Sequence, residues 1–174
     1  MSGELTFMMG QFAATFPTDR LYAKNHMWGQ WRAGEVTPPA LPPESTHHRG
    51  TDVPRSPSIR FGFTAYAVRL LQDVYFLDWS IDAGTSVREK QQIGTIESKK
   101  AESDLYSPLA GTITEFNREL LSDPSAINVD KYGEGWLFEM QADGTGLMPP
   151  EQYIEHLSAV WEVTQRTIKG QMNE

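Results

Sequence analysis

Gly94-Thr95-Ile96-Glu97-Ser98-Lys99-Lys100-Ala101-Glu102-Ser103-Asp104-Leu105-Tyr106-Ser107-Pro108 is the stretch whose reading decides the fold. Two short runs of apolar and β-branched character flank a polar centre carrying two lysines, and Ser107-Pro108 with Ala110-Gly111 supply the next turn. That pattern predicts a β-hairpin with the lysines at its tip. A hairpin tip exposes a side chain fully while cross-strand pairing holds its backbone, which suits a lysine offered to another protein's active site. Taken alone, an exposed lysine pair in a turn is ordinary solvated surface.

What surrounds the pair changes that reading. Ser80-Ile81-Asp82-Ala83-Gly84-Thr85 recurs as Ser107-Pro108-Leu109-Ala110-Gly111-Thr112, with Ser, Ala, Gly and Thr in register at an offset of 27 (Ser80 to Ser107) and Lys100 between the copies. Self-similarity centred on a hairpin tip predicts two like halves of a flattened barrel related by a pseudo-two-fold axis.

Around this centre the motifs form an ordered series. Glu97-Ser98-Lys99-Lys100-Ala101-Glu102-Ser103-Asp104 and Ser107-Pro108 are followed by Gly111, Glu115-Phe116-Asn117, Leu120, Asp123-Pro124, Asn128 and Tyr132-Gly133-Glu134-Gly135-Trp136. The series closely resembles the glycine cleavage system H protein family, from about Leu21 to Met140 with one insertion. The resemblance implies a mainly β fold: a flattened antiparallel β-barrel or sandwich of the lipoyl/biotinyl hybrid-motif type, with a short internal helix and a C-terminal helix. It makes Lys100 the attachment point of lipoate, and Lys99 stands where the family has Val. A biotin carrier is a weaker match, because Ser98-Lys99-Lys100-Ala101 lacks the Met-Lys-Met arrangement.

The implied function is a carrier one. Lipoyl-Lys100 would take an aminomethyl group from a pyridoxal-phosphate glycine decarboxylase to an aminomethyltransferase and be reoxidised by dihydrolipoyl dehydrogenase, after loading by a lipoate ligase or lipoyltransferase. The chain itself would catalyse none of these steps. Glu97, three residues before Lys100, matches an acidic recognition position. Asp104 matches an Asp that, with the first strand, gives the family's arm-sheltering cleft its polar groups. Here the chain departs from the pattern: the family's Glu between His26 and Trp28 is Met27, which cannot accept a hydrogen bond from an ammonium, and a Ser before the His is Asn25. Together with Lys99 and the insertion, that departure keeps a second reading open, an H-like lipoate-binding carrier in another pathway such as sulfur oxidation. A third is a structural or adaptor homologue without the modification.

Composition bounds these readings. At 174 residues the chain has the length of one domain. Its net charge of -8, without a basic patch, argues against nucleic acid or an anionic membrane surface as the main partner. With no cysteine, any redox chemistry must come from an added group. Met1 to Phe16 makes a poor secretory signal and no run of about eighteen uncharged apolar residues occurs, so the expected location is cytoplasmic.

In chain order, residues 1–20 read as an N-terminal extension whose Phe12 and Phe16 can lie against the body. Residues 21–148 read as the H-protein-like lipoyl domain. It opens with a strand from Leu21 to Trp28, in which His26 reads as a structural histidine with one nitrogen bonded to backbone. Residues 33–58 are rich in Pro, Ser, Thr and Arg and read as an inserted polyproline-like loop, containing His47-His48 and a Pro39-to-Pro42 motif. Strands follow at Ile59–Phe63 and Val74–Trp79, separated by a helix over Ala65–Leu71 with Thr64 as its N-cap. Gly111–Asn117 and Trp136–Met140 read as the closing strands, and Asn117–Asp130 as a loop. Residues 149–174 carry an amphipathic helix whose stripe includes Ile154, Leu157, Val160 and Trp161, docking on the barrel and ending at Gly170.

Overall fold

The structure, a computed structural model, describes residues 3–32 and 58–173, with backbone alone beyond residue 163. Of the expected proline-rich loop at 33–58, residues 33–57, with His47, His48 and the Pro39-to-Pro42 motif, lie outside the described residues, and Ser58 already belongs to a strand. Among the described residues there are eleven strands and four helices. They run β1 (Glu4–Met9), β2 (Phe12–Pro17), β3 (Leu21–Tyr22), β4 (Met27–Trp31), β5 (Ser58–Phe63), α1 (Ala65–Leu71), β6 (Val74–Trp79), β7 (Ser86–Val87), β8 (Gln92–Ser98), β9 (Glu102–Tyr106), β10 (Gly111–Phe116), α2 (Glu119–Ser122), α3 (Ala126–Val129), β11 (Phe138–Gln141) and α4 (Pro150–Asn173).

All named strand pairs are antiparallel. A six-stranded sheet in the order β3-β4-β5-β11-β10-β7 faces a three-stranded sheet, β6-β8-β9, and the layers stay open as a flattened sandwich. Between them lies a core that includes Phe61, Leu77, Ile96, Leu105, Ile113 and Phe138, each at most 4 % exposed. Burying a side chain of this size contributes roughly 1.5–3 kcal/mol, so the sandwich is held chiefly by this layer. The repeated segments meet here: Gly111 pairs with Val87 and Thr112 with Ser86, and the Gly84 and Thr85 backbones exchange hydrogen bonds with Ile113 at 2.7 and 3.0 Å. Thr64 caps α1 as expected, its hydroxyl accepting from the Ala67 N–H at 3.4 Å.

Four local expectations are corrected. Leu21–Trp28 is a tight hairpin rather than one strand, because Ala23 and Met27 bond across a turn in which His26 takes a left-handed φ of 70°. The Asn117–Asp130 loop contains the single-turn helices α2 and α3, which insert Leu120 and Ile127 into the core. The last strand starts at Phe138, since Trp136 is still held in a turn by its bond to the Gly133 carbonyl. Finally, α4 runs through Gly170 to Asn173. No described helix is long and apolar enough to cross a membrane.

The N-terminal segment forms a hairpin and helps build a second core. Leu5, Phe7 and Met9 alternate along β1, Gly10 turns the chain at φ 67°, and β2 brings in Ala14 and Phe16, both fully buried. Tyr153 of α4 stacks on Tyr22 at 4.7 Å between ring centroids, and Phe16 meets it edge-on at 5.4 Å. Trp161, part of the stripe read from the sequence, sits edge-on to Phe7 and Tyr66. The expected docking of the C-terminal helix is therefore observed, and its seat is this aromatic cluster.

Candidate functional site

The β8–β9 hairpin forms as the sequence predicts, with Glu97 opposite Glu102 and Lys99-Lys100 exposed at the tip. Ser98 makes the turn rigid. Its backbone N–H donates to the Ala101 carbonyl at 2.8 Å, and its buried hydroxyl accepts from the Lys100 and Ala101 N–H groups at 3.3 and 3.2 Å. The tip is also fastened from outside, because the Lys99 N–H donates to the Asp73 carbonyl and the Lys100 N–H to that of Leu71, at the end of α1.

The segment that receives those bonds is itself clamped by Asn128, whose amide donates to the Gln72 carbonyl at 2.7 Å while its oxygen accepts from the Val74 N–H at 2.9 Å. The sequence marks Asn128 only as a member of the motif series; its role needs the approach of α3 to the α1–β6 turn. Asn128→Ala leaves both backbone groups without these partners. Each such loss costs about 1–3 kcal/mol when the group is shielded from water. The expected outcome is a lower urea midpoint together with faster hydrogen exchange at the Lys99 amide.

Beside the tip opens a cleft of about 300 Å³ between the β3–β4 turn, α1 and the edge strand β9. Met27, 1 % exposed, and Leu71 give it an apolar lining, Ala101 stands on the Lys100 side, and Asp104 supplies a carboxylate at the edge. The Tyr106 hydroxyl donates to Asp104 at 3.3 Å, and the nearby carboxylate pushes the Tyr106 phenol above its ordinary pKa. Asn25 spans the far side. Its amide donates to the Tyr106 carbonyl at 3.0 Å, which fixes its orientation and leaves Oδ1 buried without a hydrogen-bond partner among the described residues. An apolar cleft next to an exposed lysine, with one orphaned acceptor, fits a long apolar arm on Lys100 that ends in a hydrogen-bond donor. Of the sequence-derived site residues, Asp104 borders the cleft from the edge strand β9, and Lys100 lies beside it, next to the lining residue Ala101. Glu97, on the central strand β8, does not line it.

His26 also borders the cleft, and its partner differs from the expected backbone group. Its Nδ1 lies 2.9 Å from the Tyr153 hydroxyl, which lies 3.0 Å from the Thr64 hydroxyl, while the Thr64 N–H donates to the His26 carbonyl. Burial, with a smaller contribution from nearby His156, lowers its pKa from 6.5 to about 4. A lowered folded-state pKa stabilises the fold above 6.5, and that contribution is lost as pH falls from 6.5 toward 4. The shift is equivalent to on the order of 3 kcal/mol. Urea unfolding should therefore show stability falling over that window, and His26→Asn, which tolerates the left-handed turn, should flatten the fall.

Comparison with known proteins agrees with this geometry. The family model described as "Glycine cleavage H-protein" matches residues 45–160. A glycine cleavage system H protein of Rubrobacter xylanophilus is 34 % identical over 145 residues, spanning 83 % of this chain and 96 % of that one. One from Chromobacterium violaceum is 39 % identical over 106 residues, 59 % and 82 % of the two chains. The crystal structure of a glycine cleavage system H protein from Mycobacterium marinum superposes with a TM-score of 0.61 at 30 % identity, covering 83 % of this chain and 98 % of that chain. The tip lysine, its clamped turn and the open β sandwich thus occur in a chain that belongs to the glycine cleavage H-protein family.

Proposed function

We propose that this protein is the lipoyl carrier of a glycine cleavage system and that Lys100 holds the lipoate. The observation that carries the reading is the placement of Lys100, alone with Lys99 on a doubly fastened tip, beside a cleft with an orphaned acceptor. Lipoate, once amide-linked to Lys100, supplies a dithiolane able to take up and release a one-carbon unit and a pair of electrons. Ser98 and the α1 terminus keep the attachment point at a fixed height above the sheet. Asp104 at the edge and Asn25 Oδ1 within accept hydrogen bonds from an amine lodged in the cleft, while Met27 contributes only apolar contact where the family pattern has a carboxylate.

The protein needs no catalytic group of its own. Tethering makes each encounter effectively intramolecular once the carrier docks, so moderate affinity suffices and partners can exchange. Those partners are a lipoate ligase or lipoyltransferase for loading, then glycine decarboxylase, aminomethyltransferase and dihydrolipoyl dehydrogenase, and the acidic carrier suits basic rims at their active sites. The glycine cleavage name carried by relatives across most of the chain favours this pathway over another lipoate-dependent one. The test is glycine–bicarbonate exchange: lipoylated protein is expected to support it with a glycine decarboxylase. Absence of exchange with fully lipoylated protein overturns the pathway.

A further inference from the structure

Apart from Asp104, which borders the cleft from the edge strand, the outer face of the β6-β8-β9 sheet is used by nothing described so far. Leu77 opposite Ile96 points into the core, so by alternation Phe76, Glu97 and Glu102 share the outer face, followed on the next outward rung by Asp78, Thr95 and Asp104. A bulge between Val74 and Phe76 inserts Tyr75 and exposes two consecutive aromatic residues, Tyr75 at 60 % and Phe76 at 47 %. Val74, just before them, pairs with Ser98, just before the lysines, so the aromatics sit against the tip.

Exposing two large rings side by side leaves apolar area in water that a partner can bury. Along the strands the charge is one-sided: no Lys or Arg occurs within β6, β8 or β9, Lys99 and Lys100 stand at the tip itself, and Arg118 shares a groove with Asp78 at the end away from the tip. An aromatic pair framed by carboxylates fits a partner surface with an apolar seat and a basic rim.

Reach selects which partner. Enzymes served by a loaded arm can stand off by the arm's length, whereas the enzyme that first acylates Lys100 has only the lysine's own side chain to meet it. It must therefore close on surface contiguous with the tip. We infer that Tyr75 and Phe76, framed by Glu97 and Glu102, form the docking seat of the enzyme that attaches lipoate to Lys100. The inference rests on the carrier reading and adds to it where loading is decided.

The test is steady-state lipoylation of full-length apo protein by a lipoate–protein ligase with lipoate and ATP. Phe76→Thr and Tyr75→Thr should each raise KM by about tenfold or more, as truncation of a central aromatic anchor does, with kcat little changed. Glu97→Gln with Glu102→Gln should also raise KM and weaken its dependence on salt. The same aromatic variants, fully lipoylated at saturating ligase, should be reduced by dihydrolipoyl dehydrogenase with NADH as the electron donor at the wild-type rate and melt at the wild-type temperature. If the wild type takes no lipoate at Lys100, the carrier reading fails. If the wild type is lipoylated and the Thr variants match its KM, or lose ligase and dehydrogenase activity alike, the docking seat is overturned.

Discussion

Lys100→Arg is expected to yield protein that never gains a lipoyl adduct in cells that make lipoate, while Lys99→Arg gains one adduct as the wild type does. Both lysines are exposed, so exposure alone cannot separate them. Their backbones differ. The Lys99 N–H is tied by a bond of 2.8 Å to the Asp73 carbonyl, whereas the Lys100 N–H has only the long contacts of 3.3 and 3.4 Å to the Ser98 hydroxyl and the Leu71 carbonyl. Lys100 is also the residue bordered by Ala101, which lines the cleft. Arginine keeps charge and length at the tip but offers no amine for acylation. Intact-mass spectrometry with peptide mapping reads the outcome directly, and glycine–bicarbonate exchange should fall to background in Lys100→Arg alone. An adduct on Lys99 in the wild type would mean that the turn is read one residue out of register.

The second large effect is on stability and comes from the repeated segments. Gly84 and Gly111 occupy the same place in the two copies, yet the fold uses them for different reasons. Gly84 has φ 96° with open space where a side chain would stand, so Gly84→Ala should cost about 1–3 kcal/mol of backbone strain. Gly111 lies in β10, and a Cβ there would collide with the Gln141 backbone carbonyl of β11 and crowd the Met140 side chain. A carbonyl held in a sheet cannot swing aside as a flexible side chain can. Gly111→Val should therefore cost more than about 3 kcal/mol and leave little folded protein. Urea titrations of the two variants would rank them, and a Gly111→Val protein as stable as Gly84→Ala would show that β10 and β11 can separate without cost.

The legible parts of this fold are those in which a local pattern and a tertiary need coincide. The tip hairpin alternates and turns on polar residues, Thr64 precedes a helical run, and the α4 stripe has helical spacing, so each could be read from neighbours in sequence. The short helices α2 and α3 could not, since four residues are too few for any period, and only burial of Leu120 and Ile127 reveals them. The N-terminal hairpin carries a local signal of its own, since Leu5, Phe7 and Met9 alternate up to Gly10. At the site, Lys100 and Asp104 could be placed by spacing, because they belong to one hairpin. The orphaned oxygen of Asn25 and the Asn128 clamp depend on contacts 81 and 54–56 residues away in sequence, which no local pattern encodes. Glu97 and Asp104 share one face by the two-residue period of the paired strands, and only the sheet order, with β9 at the edge, shows why Asp104 alone of the two borders the cleft.

The phenol that steadies His26 comes from near the far end of the chain, and the ring stack beneath it is completed by residues from the very start. Both terminal segments thus pack behind His26, which lines the cleft beside Lys100. Trimming either one, by a protease or by an expression boundary drawn tightly around residues 21–148, would remove packing from behind His26 even with every residue of the hairpin intact.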